Sequence, residues 1–240
     1  MTRHDGRAPD ELRPMQIDTK VRSWAEGVAL ITSGATTVLC TATVEERVPP
    51  HRRGSRAGWV TAEYGMLPRS THERKPRDRG GRVDGRAQEI QRLVARSLRS
   101  AVNLRHLGER TVIVDCDVIH ADGGTRTAAI SGGFVALALA CGRLQDAGMV
   151  ATSPIARAVA AVSVGLVDGT PLLDLDYRED SMAATDMNVV MSAGGEIIEI
   201  QGTAEREPFS QDQLGVLLNL ARAGIARIAG TQSSALAPLS

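Results

Sequence analysis

The stretch Glu109–Gly133, E-R-T-V-I-V-D-C-D-V-I-H-A-D-G-G-T-R-T-A-A-I-S-G-G, decides how this chain folds. Apolar and polar residues alternate through Val112, Val114, Cys116 and Val118, and that period of two predicts a strand. From Thr127 to Arg143 the chain turns Ala-rich, with Phe134, Leu137, Leu139 and Ala140 on helical spacings. Gly123-Gly124-Thr125-Arg126 therefore falls at a strand-to-helix turn. The first N–H groups of a helix lack partners and carry the positive end of its dipole, so an anion can sit there. Two glycines let backbone approach that anion, and Arg126 adds a fork of donors matched to phosphate oxygens. An ordinary capped helix with a surface arginine would read the same way, so the surroundings have to decide.

Upstream, the clearest helix is Arg86–Asn103, with Ile90, Leu93, Val94, Leu98 and Val102 on one face. Arg86 lies in its first turn, where it opposes the dipole, and a bound anion would give it a purpose. Between Leu67 and Gly85 runs a loop without apolar periodicity that carries Arg69, Arg74, Lys75, Arg77, Arg79 and Arg82. Such a loop suits phosphate contacts along a nucleic acid; the plainer alternative is a solvated loop. Further upstream, strand runs are expected at Gln16–Ser23, Gly27–Thr32, Thr36–Val44 and Gly58–Tyr64, the middle two as a hairpin around Ser33-Gly34-Ala35. A basic, Pro-containing loop fills Glu45–Arg56. Met1–Pro14 reads as an extended, partly ordered arm.

Downstream, Ala158–Val167 and Pro171–Asp176 are strands about an Asp168-Gly169 turn. Tyr177–Asp186 reads as an acidic turn holding Asp180 and Asp186. Met187–Ser192 and Glu196–Gln201 pair around Gly194-Gly195, and Ser210–Gln213 is a capping box opening a last helix. From Gly230 a loose tail is expected. The elements add up to an α/β (α+β) sandwich, one domain over residues 1–240, with mixed sheets and helices packed between or against them.

Charge is balanced at 28 basic and 28 acidic side chains but unevenly placed. Residues 51–99 hold thirteen Arg or Lys against five acids, and residues 168–212 hold eleven acids against Arg178 and Arg206. Either the first is a surface for a polyanion and the second a working carboxylate cluster, or the two segments neutralise each other in the fold. Cys40, Cys116 and Cys141 are scattered in apolar patterns and read as buried thiols of a reducing, cytoplasmic compartment. No apolar run is expected to span a bilayer, and Met1–Arg13 is too polar for a signal peptide.

Seven segments make the sequence resemble the bacterial ribonuclease PH family: Asp5–Pro14 (D-G-R-A-P-D-E-L-R-P), Gly58–Arg69, Gly85–Arg99, Asp115–Ala128, Leu173–Ser181, Asp186–Met191 and Ile200–Glu205. The resemblance covers nearly the whole chain. It implies two pseudo-repeated βαβ-type halves and a phosphate-dependent 3′-to-5′ exoribonuclease, or tRNA nucleotidyltransferase, acting on RNA 3′ ends, especially tRNA precursors. It implies that inorganic phosphate, the co-substrate, is held by Arg86, Gly124, Thr125 and Arg126. Asp180 and Asp186 are implied as catalytic carboxylates and as ligands of Mg2+, and Arg69, Arg74 and Arg77 as RNA contacts. It also implies a homohexamer built as a trimer of dimers. Ala87 stands where the family often has Thr, and Arg206, where Gly is usual, has no physical explanation. A non-catalytic, exosome-like RNA-binding ring subunit is the alternative; the presence of both Asp180 and Asp186 speaks against it.

Overall fold

A computed structural model describes residues 3–77 and 84–237. Arg79 and Arg82 of the basic loop lie outside the described residues. In chain order the elements are β1 (Met15–Asp18), β2 (Gly27–Ser33), β3 (Thr36–Glu45), β4 (Trp59–Met66), α1 (Gly85–Ser100), α2 (Leu104–Leu107), β5 (Thr111–His120) and α3 (Thr125–Asp146). The second half comprises β6 (Val159–Val167), β7 (Thr170–Leu173), α4 (Tyr177–Met182), β8 (Thr185–Ser192), β9 (Ile197–Ala204) and α5 (Gln211–Leu236).

The first sheet has the order β1-β2-β3-β5-β4 and is mixed: β4 runs parallel to β5, with α1 in the crossover, and the other pairs are antiparallel. The second, β7-β6-β8-β9, is antiparallel throughout. Both predicted hairpins form. Ser33 pairs with Thr36 across Gly34-Ala35, and Val167 pairs with Thr170 across Asp168-Gly169, both of which have positive φ as a primed turn requires.

α3 packs on β2, β3 and β5 of one sheet and on β6 of the other, so it fills the space between them. Its composition follows from that position: a helix enclosed on all sides needs apolar or small residues all round, not a stripe. Gly132 permits the approach, since a Cβ there would lie 2.7 Å from the Ile31 side chain. The expectation that no segment is apolar enough to cross a bilayer needs correcting. Thr125–Asp146 has the length and hydropathy, but 78% of its most apolar window is buried inside the fold, so it is the core helix. β6 lies between α3 and α5, and all nine of its residues are buried. Leu217, Ala221, Ile225 and Ile228 of α5 close the far side of the second sheet.

The strands expected over Gln16–Ser23 and Pro171–Asp176 stop short, at Asp18 and Leu173, and three further local expectations are overturned. Of the tail expected from Gly230 to be loose, the described part is not: α5 continues to Leu236, and the buried Gln232 Nε2 donates to the carbonyls of Ser131 and Val159, while residues 238–240 lie outside the described residues. The arm before β1 is not merely extended but anchored, with Arg3, Arg7 and Arg13 buried. The acidic turn is α4, a short helix capped by Asp176, whose side chain accepts from the Glu179 N–H while Glu179 returns a bond to the Asp176 N–H. D-Y-R-E is a capping box in the sequence, and that signal would have revealed the helix. The three cysteines are buried and free, as expected, and burial pushes the Cys141 thiol up to about 12.

Candidate active site

The turn between β5 and α3 is built for close approach. Gly123 and Gly124 both have positive φ, and Gly124 caps α3 with no side-chain bond, so the first N–H groups of the helix receive no side-chain cap. A Cβ on Gly123 would lie 2.5 Å from the Asp176 carbonyl carbon, and one on Gly124 would lie 2.9 Å from Arg13 Nη2. Backbone blocks any side chain at Gly123, and the positive φ strains one at Gly124. Thr36 Oγ1 locks the turn, accepting from the Asp122 N–H at 2.9 Å and donating to the Gly123 carbonyl at 2.7 Å.

Thr125, first in α3, accepts a 2.8 Å hydrogen bond from the hydroxyl of Tyr64 on β4. Burial raises the Tyr64 hydroxyl's pKa, opposed by that bond and by the positive charges of Arg86 and Arg126. Arginines at the starts of α1 and α3 thus converge on one place. Neither is firmly held. Arg126 makes two long contacts, 3.4 Å to Glu89 and 3.5 Å to Gln201, and Arg86 is exposed with no side-chain hydrogen bond among the described residues.

The carboxylates arrive from the second half. Asp180 is on α4, and Asp186 is the second residue of β8, opposite Gly165 and Thr203. Asp186 shares its strand face with Asn188, whose partner Gln201 contacts Arg126. The Asp180 carboxyl is pushed above the usual range by burial first and then by the Asp186 charge, with Glu205 adding to it, while Arg86 and Arg126 pull it down. Four groups from α1, α3, α4 and β8 therefore share one electrostatic field. The Asp186 charge raises the proton affinity of Asp180, and two such neighbouring acids, as hard oxygen donors, fit a divalent cation such as Mg2+. Tyr64, Gln201 and Glu205 escaped the sequence reading, because nothing local in a strand or just past its end marks a residue that meets a distant helix.

Arg69 follows β4 at the same end of the sheet. The loop is fixed there where the Leu67 N–H donates to Val118 and Ser70 accepts from the Ala121 N–H. A cleft of about 310 Å³ opens beside it, lined by Arg69, Thr71, His72, His120, Asp122 and Tyr177. Arg69, Arg74 and Arg77 are exposed and in no ion pair among the described residues. The two charged segments do not neutralise each other among the described residues. Among the described residues a single ion pair, Arg96–Glu199 at 2.5 Å, joins them. The buried acids Asp174, Asp176 and Glu179 instead face the N-terminal arm. Arg13 grips Asp174 at 2.7 and 3.1 Å, Arg3 grips Glu179 at 2.5 and 2.7 Å, and His4 Nε2 lies 2.5 Å from Asp176.

Comparison with known proteins adds a family. The pattern for domain 1 of the 3′ exoribonuclease family matches residues 11–141, and that for domain 2 matches residues 157–224. The chain is 56% identical over 232 residues to a protein of Methylobacterium radiotolerans named ribonuclease PH, covering 96% of this chain and 98% of that one. It is 55% identical over 231 residues to a ribonuclease PH of Neisseria meningitidis, covering 96% of each. In fold it is similar to rice Rrp46 (TM-score 0.79, 19% identity, 98% of this chain and all of that one). It is also similar to a chain of the Archaeoglobus fulgidus exosome with RNA bound to the active site (TM-score 0.82, 21% identity, 95% of this chain and 91% of that one).

Proposed function

The chain belongs to the 3′ exoribonuclease family, ribonuclease PH among its members, and from that premise we propose how its residues divide the work of phosphate-dependent 3′-to-5′ RNA shortening. The enzyme removes 3′-terminal nucleotides, as in tRNA maturation, and releases them as nucleoside diphosphates. The observation that carries the reading is the shared field of Asp180, Asp186, Arg86 and Arg126.

Inorganic phosphate sits at the α3 N-terminus on Thr125 and the Gly124 backbone, gripped by Arg86 and Arg126. The two guanidiniums offset its repulsion from the RNA phosphate. A phosphate oxygen attacks the phosphorus of the last phosphodiester in line. The bond from that phosphorus to the penultimate O3′ breaks, and the leaving oxygen takes up a proton. One phosphoryl linkage replaces another, so the step is nearly balanced and reversible. Asp180 and Asp186 serve the leaving side. Without a metal bound, the pair relays the proton to O3′, and burial with the Asp186 charge raises Asp180's affinity for it. The same pair would hold Mg2+, which when bound supplies charge neutralisation at the phosphoryl oxygens.

Arg69, Arg74 and Arg77 guide the RNA backbone toward this site. A closed homo-oligomer, a hexamer, completes the track. In support, the outer face of the first sheet carries the half-buried pair Leu30–Leu39, and the helices that contact this sheet's strands cover the opposite face. Light scattering reporting an active monomer would remove that assembly from the proposal. The deciding experiment for the reaction incubates a short RNA with and without phosphate and identifies the released mononucleotide. Diphosphates that appear only with phosphate are expected; monophosphates in phosphate-free buffer would overturn the mechanism.

A further inference from the structure

Arg3, Arg7 and Arg13 come from the arm before the first strand, yet their guanidiniums are among the most enclosed charges in the protein. All three act on one seven-residue segment, Leu173–Glu179, which leads from β7 into α4. Arg3 donates from Nε and Nη2 to the two Glu179 oxygens and from Nη1 and Nη2 to the carbonyls of Leu173 and Asp174. Arg7 donates to the Asp174 carbonyl at 3.0 Å and to Glu179 at 3.4 Å. Arg13 takes Asp174 through both its side chain and its backbone N–H. It also donates to the Asp122 carbonyl at 2.6 Å, in the turn that opens α3.

The gripped segment is not relaxed. Asp174 has φ +55°, a conformation non-glycine residues enter at a cost of order 1–3 kcal/mol and keep only when their surroundings enforce it. Immediately beyond it the Gly123 backbone lies against the peptide joining Asp176 and Tyr177. Glu179 is followed directly by Asp180, so the residue the arm holds hardest is the neighbour of the candidate catalytic carboxyl.

We propose that the N-terminal arm is a clamp that sets the position of Asp180 relative to the anion site, with Arg3, Arg7 and Glu179 as positioning residues for turnover. One guanidinium layer joins the α3 entry, through Arg13 and Asp122, to the α4 entry, through Arg3 and Glu179. The separation between phosphate and leaving-side carboxyl is thereby fixed by rigid, planar forks. This rests on the reading of Asp180 as a catalytic group.

The test uses the full chain with a short RNA and measures kcat and the phosphate KM separately. Glu179→Gln is expected to lower kcat roughly ten- to hundredfold, the scale of a misplacement near 1 Å. Its phosphate KM should stay within about twofold, because Arg86 and Arg126 are untouched. The double variant Arg3→Met/Glu179→Met separates positioning from stability. Replacing a buried ion pair by apolar groups is often neutral for folding, so its melting temperature should recover while kcat does not. If that variant does not fold, the kcat-against-KM split in Glu179→Gln decides alone. A folded clamp variant with wild-type kcat, or one whose loss falls equally on phosphate KM, overturns the proposal. Asp180→Asn runs in parallel. Full activity in Asp180→Asn would sink the catalytic reading and the clamp with it, whereas an inactive Asp180→Asn beside fully active clamp variants would sink the clamp alone.

Discussion

Two groups of arginines adjoin the same site, and they could hardly be more differently held. Arg3, Arg7 and Arg13 are buried, Arg3 and Arg13 bidentate on a carboxylate, with donors met by carboxylates and carbonyls. Arg86 and Arg126 sit at helix N-termini, where the dipole disfavours them, with long contacts or none among the described residues. Burial of a paired charge yields rigidity; a charge left under-satisfied at a helix start is ready for a ligand. Residue type alone does not distinguish the two jobs. The count of satisfied donors does.

That contrast can be broken first at the carboxylates that stand between the two groups. Asp186→Asn should lower kcat by about 10²–10⁴-fold, the usual contribution of a proton-transfer group, with no recovery at high phosphate. Recovery would move Asp186 to the nucleophile's side. Next in size is Arg126→Ala. Hydrogen bonds to charged groups are worth about 1.5–3 kcal/mol, so kcat/KM for phosphate should fall about ten- to hundredfold and recover in part when phosphate is raised. An Arg126 variant blind to phosphate concentration would class this arginine with the structural set.

The loop extends the comparison to arginines that are exposed on every side. Replacing Arg69, Arg74 and Arg77 together by Ala should flatten the log–log salt dependence of RNA binding by about two units, at about 0.7 per single-strand contact. Affinity for a long RNA tail should drop, while phosphorolysis of a very short oligonucleotide changes much less. An unchanged slope would leave the loop a solvated segment.

The smallest effect is one of stability. Burial and Asp186 raise the Asp180 pKa in the folded chain, so the folded state binds its proton more tightly than the unfolded one. That contribution is favourable below the ordinary carboxyl pKa of 3.8 and is lost as pH rises through the raised folded value. Above that raised value the ionised Asp180 is therefore a burden on the fold. Asp180→Asn should melt slightly higher than wild type at pH 7, with the difference vanishing in acid. A lower melting temperature at pH 7 would mean that Asp180 is a supporting member of the clamp.

Much of this was legible from local pattern. Alternation gave the strands, G-G-T-R after an alternating run gave the anion-ready helix start, and the two tight turns fixed their hairpins, because strand period, cap and turn chemistry act over a few residues. What the sequence alone could not decide was which charges meet. The basic segment and the acidic segment look complementary on paper, yet Asp174 and Glu179 are taken by arginines more than 160 residues away. Equally hidden was the convergence of Arg86, Arg126, Asp180 and Asp186 from four elements. Charge pairing depends on distance through the fold and on which groups are desolvated together. Only the packing of α3 between the two sheets sets those distances.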